Sequence, residues 1–173
     1  MISNSITLLR IALIAPLFWL LSLDGYPWIA LALYLLAGLL DVVDGRVARA
    51  LGEVSPFGAI LDLIGDRLLT LGAIGGLIAG GGLSGAWAAL GLLLIARDLV
   101  VAGFEVALPR FKLRLTVFAK LKIAMHFLAV SLLILGGEFR VIGERVLAVA
   151  VLMAWLQVYL GARQAWAGFK VVR

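Results

Sequence analysis

The chain has 173 residues, of which 64% are hydrophobic and only 14% charged, with a formal net charge of +5 and no cysteine. A soluble domain is typically about half apolar and about a quarter charged, so this composition excludes an ordinary soluble globular protein. It also excludes a disulfide framework and a thiolate metal site. The basic excess reads as membrane topology and anionic-headgroup contact rather than nucleic-acid binding.

A membrane span needs roughly 20 mostly apolar residues, and the pattern predicts an all-α integral membrane protein with six transmembrane helices. The first runs about 6–23, after a short interfacial segment at 1–5, and ends near Asp24-Gly25-Tyr26-Pro27. The second runs about 28–50. The third starts near Pro56 and ends in Gly80-Gly81-Gly82. The fourth runs from Ser84 to about 107, before Pro109. The fifth covers about 115–136 and the sixth about 142–168. Gly and Pro at the joints are ordinary helix punctuation. The polar joints are short, so residues 1–173 read as a single domain. The first apolar segment follows Arg10 closely and lacks a small-residue cleavage site, which argues against a signal peptide.

Basic residues gather at alternate joints. Arg46 and Arg49 follow the second helix. Arg110, Lys112, Arg114, Lys120 and Lys122 follow the fourth, and Arg163, Lys170 and Arg173 close the chain. The joints at 24–27 and 79–85 carry none, while Arg140 and Arg145 are balanced by Glu138 and Glu144. The positive-inside rule then places both termini in the cytoplasm, which requires an even number of spans. The expected location is the inner (cytoplasmic) membrane.

Against this apolar background the chain concentrates carboxylates. Of its 10 acidic residues, five lie between Asp41 and Arg67, and four of those are Asp. Asp41, Asp44, Gly45, Ala48 and Arg49 share one helical stripe by their spacing, and Gly58, Asp62 and Asp66 share another on the next helix. A short turn makes the two helices antiparallel neighbours, so four carboxylates converge at one shallow point. They cannot all stay ionised without a cation. Two divalent ions with oxygen-only ligands, Mg²⁺ or Mn²⁺, resolve this and suit displacement at phosphorus. Gly45, Ala48 and Gly58 would let helices or ligand approach closely, and Arg49 supplies a bidentate phosphate donor. A single Asp near a helix end is often merely interfacial, but two complete stripes of ionisable residues within spans point to a phosphate-handling site.

The complete spacing D-x₂-D-G-x₂-A-R-x₈-G-x₃-D-x₃-D, from Asp41 to Asp66, resembles the signature of the CDP-alcohol phosphatidyltransferase family. The resemblance implies a six-helix, homodimeric membrane enzyme that replaces the CMP of CDP-diacylglycerol with an alcohol. It implies that Asp41, Asp44, Asp62 and Asp66 hold two divalent ions, with Asp66 as general base. It also implies that Gly45, Ala48, Arg49 and Gly58 border the CDP moiety.

"NSITLLRIALIAP" (4–16) is similar to the opening of the bacterial phosphatidylglycerophosphate synthase subgroup, which sets Thr7 and Arg10 near the nucleotide phosphates. "ARDLVVAGFE" (96–105), the Lys120-x-Lys122 pair and "VYLGARQAW" (158–166) are similar to other segments of that subgroup. The chain departs from it at Ile123 and His126, at Leu63-Ile64-Gly65, and at Arg67. The implied acceptor is a phosphorylated small alcohol such as sn-glycerol 3-phosphate, held by Arg97, Lys120, Lys122 and Arg163. These four are also what the positive-inside rule alone would produce. The alternatives are a cardiolipin synthase, which uses phosphatidylglycerol, and a divalent-cation transporter. A cation path should continue across the membrane, yet Leu68 to Ala96 has no charged residue. His126, the sole histidine, reads as a buried, hydrogen-bonded core residue. The Gly72, Gly76 and Gly80 row reads as helix packing, with a dimer contact as one use for it.

Overall fold

The computed structural model describes the backbone of residues 2–23, 25–51, 56–107 and 117–170; the side chains of 2–4, 44, 48–51, 56, 57, 59, 104–107, 117–119 and 164–170 lie outside the description. Six helices follow one another: α1 (Ile2–Ser22), α2 (Pro27–Leu51), α3 (Pro56–Ala79), α4 (Gly85–Ala107), α5 (Val117–Leu135) and α6 (Phe139–Lys170). No strand occurs among the described residues. Prolines open α2 and α3, where a missing N–H costs nothing and the fixed φ suits the first turn. Gly81, at φ 75°, turns the chain out of α3, and the N–H of Leu83 then reaches the Leu77 carbonyl at 3.0 Å.

Among the described residues, four helices, α1, α2, α4 and α6, contain stretches long and apolar enough to cross a membrane. The chain is a multi-pass, all-helical membrane protein. α3 carries Asp62, Asp66 and Arg67 within its length, so its polar load belongs to the site described below. α6 has 32 residues, which at about 1.5 Å per residue exceeds the roughly 30 Å hydrocarbon core. The predicted first and sixth helices therefore start too late: α1 includes the segment read as interfacial, and α6 begins at Phe139.

The packing order differs from the sequence expectation. α2 and α3 touch only lightly, and α1 packs extensively against both. The reason lies in the glycine row of α3. A Cβ at Gly72 would meet Ile14, one at Gly76 would meet Leu21 and the Phe18 carbonyl, and one at Gly80 would stand 2.2 Å from the Leu21 carbonyl oxygen. The row seats α1 of the same chain, which assigns it to intrachain packing rather than to a dimer contact. Leu17, Leu21, Ile74, Leu77, Leu133 and Leu147 form the centre of the apolar core. α5 is held against α2 by the ring of Phe127, which stacks on Tyr34 at 4.6 Å and occupies the space a side chain at Gly38 would need.

Candidate active site

The wedge of α1 between α2 and α3 delivers Arg10 to the carboxylates. Its guanidinium is fully buried. It forms an ion pair with Asp41 of α2 and hydrogen-bonds both the Asp62 carboxylate and the Asp62 carbonyl of α3, each at 3.2 Å. Gly65 makes room for it, since a Cβ there would lie 2.5 Å from Arg10 Nη2 and 3.1 Å from Cζ. Thr7, one turn earlier, is also buried. Arg10 was read as a phosphate contact; the structure sets it first on the carboxylates. Asp41 and Asp62 keep part of their side-chain surface open, 38% and 57%, so the arrangement is a rim and not a sealed core.

Asp66, one turn along α3, turns to Arg67, with Oδ2 at 2.5 Å from Nη1. Among the described residues no three acidic or histidine side chains gather closely enough to hold an ion. Asp44, Ala48 and Arg49 are helical in backbone, but their side chains lie outside the described residues, as do Arg110, Lys112, Arg114, Lys170 and Arg173. Gly45 and Gly58 are half-buried. The donor chemistry fits a hard cation: Asp41 and Asp62 converge on one positive charge supplied by Arg10, and oxygen-only donors suit Mg²⁺-like ions.

A second polar group lies inside the bundle. Arg97 of α4 is 3% exposed. Its Nη1 donates to Asp98 at 2.7 Å and its Nη2 to Gln157 Oε1 of α6 at 3.1 Å. Lys122 of α5 stands within electrostatic reach of Arg97, Asp98, Arg67 and Asp66, which ties this group to the carboxylate rim. Of the four cations expected to hold the acceptor, Arg97 and Lys122 lie within electrostatic reach of each other. Lys120 and Arg163 are exposed.

Sequence reasoning missed Asp98, Gln157, Arg67 and the carbonyl of Asp62 as members of the network. The available signal was a carboxylate and an amide placed alone in apolar helices, since intramembrane polar residues are functional candidates by default. His126 also departs from expectation. The residue is half-buried, and its Nε2 is buried without a hydrogen-bond partner among the described residues, so it is not the satisfied core histidine the sequence suggested.

Arg10 between two carboxylates at one end of the bundle, joined to a buried cation cluster, describes a membrane-embedded site for handling charged phosphate groups. The family model for CDP-alcohol phosphatidyltransferase matches residues 1–162, and the chain belongs to that family. Members of the family generally depend on a divalent metal. The chain is 30% identical over 184 aligned positions to the CDP-diacylglycerol--glycerol-3-phosphate 3-phosphatidyltransferase of Bacillus subtilis, covering 96% of this chain and 92% of that protein. It is 33% identical over 141 positions to the protein of the same name from Cereibacter sphaeroides, covering 78% of this chain but only 63% of that protein. It is 51% identical over 45 residues to the CDP-diacylglycerol--inositol 3-phosphatidyltransferase of Rattus norvegicus, a match confined to 26% of this chain.

Proposed function

We propose that the protein transfers the phosphatidyl group of CDP-diacylglycerol to sn-glycerol 3-phosphate and releases CMP. The observation that carries the acceptor assignment is the buried Arg97 with the half-buried Lys122 within its electrostatic reach, close to Asp98 and Asp66. Asp98 already meets the charge of Arg97; an uncharged alcohol brings no counter-charge for the neighbouring Lys122, which is costly in a low-dielectric setting, whereas a phosphate supplies one through charge-assisted hydrogen bonds. Relatives that match along most of the chain carry the glycerol-3-phosphate name. The short match to inositol transferases is best read as shared donor-side chemistry.

Asp41, Asp44, Asp62 and Asp66 would hold two ions, Mg²⁺ or Mn²⁺. Bound there, the metals supply charge neutralisation on the diphosphate. Thr7, Arg10, Gly45, Ala48, Arg49 and Gly58 border the nucleotide in this reading, with Arg10 moving from the carboxylates to phosphate oxygen when substrate arrives. Asp66 takes the proton of the acceptor hydroxyl. That oxygen bonds to the β-phosphorus as the bond to CMP breaks. Six spans, both termini and the site facing the cytoplasm, an inner-membrane location and a homodimer complete the reading. The alternation of basic joints supports the orientation.

The test is CMP release by purified protein given CDP-diacylglycerol and a panel of alcohols. Release with sn-glycerol 3-phosphate, lost in EDTA and restored by Mg²⁺ or Mn²⁺, is expected. Full activity without divalent ions would defeat the two-ion assignment, and phosphatidylglycerol as the sole productive acceptor would make the protein a cardiolipin synthase.

A further inference from the structure

His126 has no role in the scheme above, yet its surroundings are chemical. It lies one helical turn beyond Lys122 on α5, within electrostatic reach of Asp98, Asp66, Lys122 and Arg97. Its Nε2 is fully buried without a hydrogen-bond partner among the described residues, and so is Nε of Arg97. Buried polar atoms are paired in the great majority of cases. These two unpaired nitrogens, on helices α4 and α5 and within electrostatic reach of each other, are closed off by the surrounding protein, so a ligand admitted between the helices would find two polar atoms with no competing partner. A packing role alone does not account for this, because an apolar side chain would fill the volume without stranding a polar atom.

We propose that His126 contacts the acceptor alcohol through Nε2, beside Arg97 and Lys122, and helps to set which alcohol is taken. The imidazole suits a phosphorylated polyol in either tautomer: a protonated Nε2 donates to a phosphate oxygen, and an unprotonated one accepts from a hydroxyl. The two cations supply charge recognition, whereas the imidazole supplies a directional contact that can discriminate among phosphorylated alcohols. The inference rests on the proposed phosphatidyl transfer and extends its acceptor side.

Because the chain has one histidine, protein labelled with ¹⁵N-histidine and purified on a histidine-free tag gives one imidazole spin system. Addition of sn-glycerol 3-phosphate in the presence of the CDP-lipid is expected to shift its Nε2 resonance, whereas glycerol is expected to leave it in place. His126→Leu should raise the acceptor KM roughly tenfold, the loss of about one hydrogen bond, with the KM for CDP-diacylglycerol unchanged. His126→Gln, which keeps a polar terminus, should recover much of that loss. An active wild-type enzyme whose imidazole signal ignores saturating acceptor overturns this inference alone. So does a His126→Leu variant with an unaltered acceptor KM, or one whose two KM values rise equally. A wild-type protein that releases CMP with no alcohol overturns the functional reading and this inference with it.

Discussion

Arg10 and Asp66 show how two charged side chains on one rim come to different tasks. Arg10 is buried and shared between Asp41 and Asp62, so it ties two helices together. Its seat depends on Gly65. Adding a methyl group there places a carbon 2.5 Å from Nη2, and overpacking of this kind typically costs about 1–3 kcal/mol. Gly65→Ala should therefore lower the melting temperature in the wild-type background and have little effect in an Arg10→Met background. Contacting residues show such non-additivity; additive losses would mean that the glycine serves something other than Arg10. Asp66 sits on the exposed side, against Arg67. Asn at 66 keeps the shape but cannot take a proton, and removing a general base costs about 10²–10⁴ in rate. Asp66→Asn should lose turnover by at least that much while CDP-diacylglycerol binding, measured directly, falls far less. Near-normal turnover would remove Asp66 from the base role.

At the scale of the helices, the site exists because α1 is driven between α2 and α3. The contact uses backbone against backbone: the Leu21 carbonyl lies where a Cβ of Gly80 would be, and a carbonyl in a helix cannot rotate away as a side chain can. Gly80→Ala should accordingly destabilise the protein clearly, whereas Gly103→Ala, with nothing within 4 Å of its Cβ position, should be close to neutral. Equal melting temperatures for the two variants would contradict the close packing of α1 on α3. The number, order and approximate ends of the helices were legible in the sequence, because Pro27, Pro56 and the glycine clusters punctuate long apolar runs. The meeting of Asp41 and Asp62 was legible in part, since a 3.6-residue period sets each on a face near the turn between their helices; the side chain of Asp44 lies outside the described residues, and Asp66 turns to Arg67. The role of α1 was not legible. Adjacency in sequence suggests that α2 and α3 pack mainly on each other, and only the fit of Ile14, Phe18 and Leu21 onto the α3 glycines reveals how much of the packing of α3 falls to α1. The carboxylate partners of Arg10 were not legible, because Asp41 and Asp62 lie on two other helices that only packing brings to it. Gln157 and Asp98 escaped notice because each gains its meaning from Arg97, 60 residues from Gln157 in sequence.

Taken as a whole, the molecule joins two polar regions across four helices: a carboxylate rim on α2 and α3 and a buried cation group on α4 and α5, tied by the reach of Lys122 to both Asp66 and Asp98. This continuity predicts which substrate each residue serves. With Lys122 on the acceptor side, as proposed, Lys122→Gln should raise the KM for sn-glycerol 3-phosphate while leaving binding of CDP-diacylglycerol nearly unchanged. A charge-assisted hydrogen bond is worth about 1.5–3 kcal/mol, which corresponds to roughly a 10- to 150-fold increase in KM at 1.4 kcal/mol per decade. Lys120 is exposed on the same helix, so Lys120→Gln removes the same charge without entering the cluster and serves as the control. If Lys120→Gln and Lys122→Gln weaken the acceptor equally, the cations act through surface potential and not through a pocket. If neither does, both are topology signals. An effect confined to Lys122 is the outcome that the proposed pocket requires, because the half-buried Lys122 is the one of the two lysines within electrostatic reach of Arg97 and Asp98.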